Sequence, residues 1–385
     1  MYSASNFIGA WFWDIGTGIR PILLFYTTLF VVMVVSFGLA SRIRAWLPSS
    51  TMMTLGIALN ALYLALLLIL RTHTRQYYIP LAALDGLSAS FYWLSLYVLA
   101  ASWVKTEQAS WYNSWTGAIE AILGLVAPPL AGWIIAALPG LYGYQAVFFA
   151  AFVSLLACTW LILAVSRERP PLVRSPLEVR TPVDTRTIPQ WRRLCWSFWG
   201  LGMRDGMYFF VPNLLLYIVT GSTVLLGAFA AMQAALQGAV FWALTRSKVS
   251  LNQSLGMLIA AVISVLALGI LAIPLTPAVL FMLGAVIAIS YPSFKVALES
   301  TALAAITRYG RDEQERTRLT GVKEVWINGG RLFSLVFLVL LLTVLGPLHI
   351  PDFRWILGLW SFIPVALYLG ARKLLPPDLS PQAYH

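Results

Sequence analysis

Long apolar runs alternate with short breaks of Pro, Gly or charge along the whole chain. The runs fall at about 20–41, 50–70, 78–103, 112–137 and 144–166, then at about 194–220, 223–245, 251–273, 277–298, 319–345 and 353–376. A helix needs about 20 apolar residues to cross a hydrocarbon core of about 30 Å, and each run meets that length. The opening stretch, Met1 to Trp13 (MYSASNFIGAWFW), is too short to cross. It has no basic n-region, so it is not a cleavable signal, and it reads as an incomplete first helix. The pattern thus predicts 11 full spans plus a partial first one. Helices that are apolar all round give weak moments, so periodicity does not assign their faces.

One break differs from the rest. From Arg167 to Arg193 the chain reads RERPPLVRSPLEVRTPVDTRTIPQWRR. Its prolines and scattered arginines oppose a packed core and favour extended backbone, as in a connector. Contact with anionic lipid is a secondary role for such a segment. The predicted organisation is an N-terminal bundle (1–166), a basic linker (167–193) and a C-terminal bundle (194–385).

Composition narrows the class. Hydrophobic residues make up 59% of the 385 and charged ones 11%, which excludes a soluble globular domain. The expected fold is all-α and polytopic, in a lipid bilayer. A net charge of +11 suggests nucleic acid at first, but the positions of the charges argue otherwise. Arg42, Arg44, Lys105, the seven linker arginines, Arg246, Lys248, Arg308, Arg311, Arg316, Arg318, Arg372 and Lys373 fall in one set of alternate loops. The other set holds Arg20, Arg71, Arg75 and Arg354. Eighteen against four predicts that the linker and C-terminus are cytoplasmic. The run from Arg308 to Arg318 is mixed in sign and reads as a solvated loop helix. Cys158 and Cys195 form no disulfide framework, and His73, His349 and His385 stand too far apart for a metal set. No cofactor is expected. There is no G-x-x-x-x-G-K-[ST] loop for ATP and no nucleophile–base signature, so neither an ATP-driven pump nor an enzyme is expected.

Two local motifs add to the topology. Gly124-x-x-x-Pro128-Pro129-x-x-Gly132 in the fifth span resembles the G-x-x-x-G-P-x-x-G-G motif of Major Facilitator Superfamily antiporters, with Pro128 and Trp133 replacing two glycines. Gly38-x-x-Ser41-Arg42-x-Arg44 is a shortened form of that superfamily's G-x-x-x-D-R-x-G-R-R loop, lacking its Asp and second Gly. The resemblance implies two six-helix bundles that alternate access to a central site, with Arg42, Arg44, Gly124, Pro128, Pro129 and Gly132 as gating candidates. Within the superfamily the chain resembles a little-characterised group from Gram-positive bacteria. The residues carrying this are Asn6-Phe7 with Trp11, Gly86 with Phe91-Tyr92-Trp93, Gly143-Tyr144-Gln145 with Phe148-Phe149, Gly202-Met203-Arg204-Asp205-Gly206, and Arg318 to Arg331 (RLTGVKEVWINGGR). In that group the first helix is complete and ends at residues like Asn6–Trp11, which implies that this chain begins inside it. The resemblance also implies a bacterial cell membrane and supplies no substrate.

Charged residues inside spans are costly, about 2.5–3.5 kcal/mol each on insertion scales, so each must meet a partner or a cavity. Arg204 and Asp205 lie about ten residues into the seventh span, roughly 15 Å deep. They are either an interhelical lock or a contact for substrate or coupling ion. Glu324, Asn328 and Arg331 are spaced four and three apart, hence on one helical face. That stripe is either internal pairing or one wall of a path, and Arg204–Glu324 or Asp205–Arg331 pairs are expected. Glu120 has no deep basic residue in its own half, and a lone carboxylate in apolar surroundings is a candidate proton carrier; the bland alternative is a hydrogen bond to Asn113, Ser114 or backbone. Asp85, nearer the outer side, is a second coupling candidate. Lys295 and Glu299 are four apart and read as a local ion pair near a cytoplasmic gate. Phe91, Tyr92, Trp93 and Tyr97 either pack or line a pocket. The function expected is secondary active transport of a small molecule, proton-coupled export by a monomer. The alternatives are proton-driven uptake of an organic anion and a non-transporting protein that handles lipid or assists assembly.

Overall fold

The structure, a computed structural model, describes residues 2–40, 42–43, 47–167, 184–185, 188, 190–246, 253–344 and 352–374. Arg44 and most of the linker lie outside the described residues. In chain order the helices are α1 (Tyr2–Asp14), α2 (Ile19–Gly38), α3 (Ser49–Leu70), α4 (Tyr78–Trp103), α5 (Ala109–Ala137) and α6 (Tyr142–Arg167). After the linker come α7 (Trp191–Tyr208), α8 (Val211–Thr220), α9 (Thr223–Arg246), α10 (Gln253–Leu271), α11 (Pro277–Tyr309), α12 (Glu313–Val344), α13 (Phe353–Trp360) and α14 (Ile363–Ala371). The described residues contain no strand, and ten candidate spans in them are long and apolar enough to cross a bilayer. Large apolar side chains such as Trp111, Trp133, Trp160 and Leu266 face outward along these helices, as lipid contact requires.

Three departures from the sequence pattern have local causes. The seventh span is two helices, because Pro212 near the start of α8 has no N–H to continue α7. Pro364 at the start of α14 splits the last span from α13 in the same way. The separate loop helix expected over Arg308 to Arg318 is instead the adjoining ends of two long helices, of 33 and 32 residues, with a break only at Gly310–Asp312. An N-cap sets the start of α12: Glu315 N–H donates to Asp312 Oδ1 (2.8 Å), and Glu315 Oε2 accepts from Arg311 N–H just before it (3.0 Å).

In the first half α3 packs on α4 and α6, α2 on α4, and α5 on α6. In the second half α7 packs on α12 and α14, α10 on α11 and α14, and α9 on α11. Two seams join the halves, α2 against α12 and α5 against α9. The α5–α9 seam holds the Gly124–Gly132 motif. There a side chain at Gly124 would meet Ala234 Cβ at 2.9 Å, and Gly227 lies against the Pro128 carbonyl so tightly that an added Cβ would stand 2.7 Å from it. Small residues at a seam are what membrane helices use for close contact. The result is an all-α polytopic membrane protein with a two-bundle fold. For the described residues we call the end where α6 stops and α7 starts the linker face.

Candidate functional site

Helix α1 is well anchored. Phe7, Trp11 and Phe12 are fully buried, and Trp11 meets Tyr144 and Phe148 edge-on at 5.4 and 5.7 Å between ring centroids. Beside it, a cavity of about 300 Å³ lies between the halves, and a second of about 140 Å³ adjoins it. Asn6, Asp205, Phe209, Tyr291 and Lys295 border both.

The wall from the second half is charged and paired. It exists because α7 and α12 touch backbone to backbone. At Gly206 an added Cβ would stand 2.6 Å from the Arg331 carbonyl oxygen, and Gly202 and Gly330 press on the Ile327 and Trp199 carbonyls. That contact sets Arg331 3.4 Å from Asp205, which Arg204 also reaches at 3.4 Å. Arg204 is 2% exposed, donates to the Ile287 carbonyl (2.9 Å) and Ser290 Oγ (3.1 Å), and lies against the rings of Tyr208 and Tyr291. Arg331 donates to Asn328 Oδ1 (3.0 Å), and Asn328 Nδ2 donates to Glu324 Oε2 (3.2 Å). Lys323 then joins Glu324 (2.9 Å) to Glu299 (2.7 Å). The pairing continues without a gap from α7 through α12 to α11.

Two expectations are corrected here. The ion pair that forms on Lys295 is with Glu120, its Nζ 3.0 Å from Oε2, and Lys323 takes Glu299. Glu120 is therefore not a lone carboxylate, and Asn113 donates to Ser300 Oγ (3.3 Å) instead. The physical reason is shared: the cation for Glu120 comes from the other half, across a seam that no linear spacing encodes. Of the two cross-helix pairs expected, Asp205–Arg331 forms.

The wall from the first half is different. Asp85 lines the large cavity and accepts a hydrogen bond from Asn60 Nδ2 (3.0 Å), which also donates to Ser88 Oγ (3.2 Å). Among the described residues Asp85 has no cationic partner. The helices of this wall also meet closely: a Cβ at Gly86 would lie 2.6 Å from the Leu29 carbonyl, and one at Gly56 2.7 Å from the Tyr92 amide. Tyr26 and Tyr63 lie within electrostatic range of Asp85, and the buried Tyr63 hydroxyl has no hydrogen-bond partner among the described residues. Trp93 and Tyr97 stack at 5.7 Å along the same cavity, whereas Phe91 is buried in packing. Asn60, Tyr26 and Tyr63 were missed from sequence. A lone Asn in an apolar span was the available signal for the first; the tyrosines had none.

Contacts between the halves lie toward both ends. Toward the linker face stand Glu120–Lys295, Asn113–Ser300 and Lys323, whose ammonium lies 3.9 Å over the Tyr97 ring. At the opposite face Tyr217 donates to Asp14 Oδ2 (2.7 Å), which Tyr144 also reaches (2.7 Å), and Thr223 donates to the Gly132 carbonyl (3.0 Å). Tyr26 stacks on Phe210 at 4.7 Å. Arg42 is exposed at the linker face, away from the cavity. Gly132 and Pro128 lie on the α5–α9 seam, and Pro129 touches it beside Gly227.

No family model matches the chain. It is 23% identical over 343 residues to the uncharacterized protein YqgE of Bacillus subtilis (strain 168), spanning 89% of this chain and 79% of that protein. A Geobacillus stearothermophilus protein named for the sodM 3'region is 27% identical over 168 residues, 43% of this chain and 78% of that one. Both support likeness to a Gram-positive group. Among solved structures the chain is similar to a bacterial homologue of the iron transporter ferroportin. In its outward-facing state the TM-score is 0.68 at 14% identity, covering 97% of this chain and 95% of that one. The inward-facing state gives 0.66 at 16% identity, covering 98% and 95%. The human organic anion transporter MFSD10 matches at 0.64 and 14% identity, over 97% of this chain and 89% of that one. The fold is the one these solved structures share.

Proposed function

We propose that this chain is a secondary active transporter in the bacterial cell membrane, exporting a small molecule in exchange for protons. The observation that carries the reading is the interior cavity between the halves, bounded at each end by contacts that join one half to the other. Rocking about the α2–α12 and α5–α9 seams would open one end while the other holds, as alternating access requires. The two bundles act as units on either side of the linker, and the linker face is cytoplasmic by the Lys/Arg distribution. Asp85 exchanges the proton: it is the cavity carboxylate that no cation holds, whereas Glu120 is held by Lys295. Arg42 sits at the cytoplasmic rim, and Gly124, Pro128, Pro129 and Gly132 form the surface on which the halves turn.

A test independent of substrate uses accessibility. A single cysteine at Ala89, which lines the cavity, is placed in a background carrying Cys158→Ala and Cys195→Ala. An impermeant maleimide is expected to label it from either membrane face, in right-side-out and in inverted vesicles. Labelling from one face alone would sink alternating access. A second reading, uptake of an organic anion, has one observation in its favour: the Arg331 side chain is 25% exposed and borders the cavity.

A further inference from the structure

We infer that the large cavity binds an amphipathic organic cation, its charge on Asp85 and its apolar body against the aromatic wall of the first half. This rests on the reading of the cavity as the transport site and names the substrate class for it.

Charge balance is the first support. The spans carry five deep carboxylates (Asp85, Glu120, Asp205, Glu299 and Glu324) against four deep cations (Arg204, Lys295, Lys323 and Arg331). Every cation is committed to a carboxylate: Lys295 to Glu120, Lys323 to Glu299 and Glu324, and both arginines to Asp205. One negative charge is left over, and it belongs to Asp85. Asp85 is half-buried at the cavity wall, where an ionised group without a partner is disfavoured, and a proton or a cationic ligand would complete the site.

Lining chemistry is the second support. Tyr26, Phe30, Tyr63, Trp93 and Phe210 border the cavity. Aromatic faces attract cations and accommodate apolar bodies at the same time. The buried Tyr63 hydroxyl, unpartnered and beside Asp85, is a further polar group left for a ligand. An anion in the same place would face Asp85 and would have to compete with Asp205 for Arg331. A bare metal ion is poorly served as well: among the described residues no group of three His, Cys, Asp or Glu side chains is placed to hold one.

The test uses two probes of one shape and opposite charge, tetraphenylphosphonium and tetraphenylborate, with the full chain purified in detergent. Equilibrium binding of radiolabelled tetraphenylphosphonium is expected to saturate, and tetraphenylborate is expected not to compete. Asp85→Asn should weaken binding by about tenfold or more, since the cation loses the negative charge it faces. Asp85→Glu should retain most of it, which separates loss of charge from loss of fold. Equal binding of the borate, or unchanged phosphonium binding in Asp85→Asn, overturns the inference. No phosphonium binding by a parent protein whose Ala89→Cys form is labelled from both faces removes the cation and leaves alternating access standing. Binding without two-faced labelling does the reverse.

Discussion

The two walls of the cavity solve the same problem in opposite ways. The wall built by α7, α11 and α12 buries charges and matches each with a counter-charge, down to Arg204 at 2% exposed. The wall built by α2, α3 and α4 holds one half-buried carboxylate and gives it an amide. A matched charge deep in a membrane protein is held in place and has little left to offer a ligand. An unmatched one is unstable until something arrives. The difference teaches that the number of deep charges marks structure, whereas the remainder after pairing marks function. It moves the candidate site from the C-terminal half, where most polar residues lie, to the first half and the space beside it.

The sharpest way to break the comparison is to remove the cation that serves two acids. Lys323→Met leaves Glu299 and Glu324 without their ammonium, and breaking a buried pair costs about 3–5 kcal/mol. We expect a large loss of thermal stability in detergent, recovered in good part by adding Glu299→Gln and Glu324→Gln. If Lys323→Met unfolds with the parent, the charged wall is not structural and the contrast fails. Asp85→Asn is its counterpart. It should leave unfolding close to the parent while weakening phosphonium binding about tenfold. A variant that lost stability and kept binding would exchange the roles of the two walls.

Much of the fold was legible. Run length alone locates the spans, because lipid imposes about 20 apolar residues on every crossing. Pro212 and Pro364 were visible too, yet a run that stays apolar through a break conceals it. The walls were harder. Asp205–Arg331 was foreseeable because Gly202 and Gly206 promised close approach and a charge sat on each helix. Glu120–Lys295 was not, since its members are 175 residues apart and belong to different halves. Lys295–Glu299 misled for a related reason: spacing four apart makes a pair possible, and the nearer partners, Glu120 and Lys323, decide whether it forms. Asp85 was visible as a residue, but its isolation is a property of the whole charge set and appears only when every other pair is known.

Intermediate in size is Glu120→Gln. The pair with Lys295 is about a fifth to a quarter exposed, so its loss should cost about 1 kcal/mol, nearer the value of a surface pair than of a buried one. Because the pair ties α5 to α11 across the linker-face end, losing it should favour opening there. Labelling of the Ala89→Cys reporter from the linker face should rise several-fold. A variant whose transport of phosphonium no longer follows the proton gradient would instead return Glu120 to the coupling role.

The smallest effect tests the opposite end. Tyr217→Phe deletes one hydroxyl that donates to Asp14 and accepts from Tyr144, with no change in ring packing. A net hydrogen bond is worth about 0.5–1.5 kcal/mol. Tyr144 still donates to Asp14, but Tyr144 and Asp14 both belong to the first half, so their bond no longer ties the halves together. The end should open more readily by the lower part of that range, which is about two- to fivefold in the labelling ratio of the Ala89→Cys reporter. The shift should favour the face away from the linker, opposite in sign to that of Glu120→Gln. Opposite signs from two substitutions at opposite ends are what a rocking molecule produces. Equal signs would mean that both substitutions merely loosen the bundle, and the contacts at the two ends would then be packing and not gates.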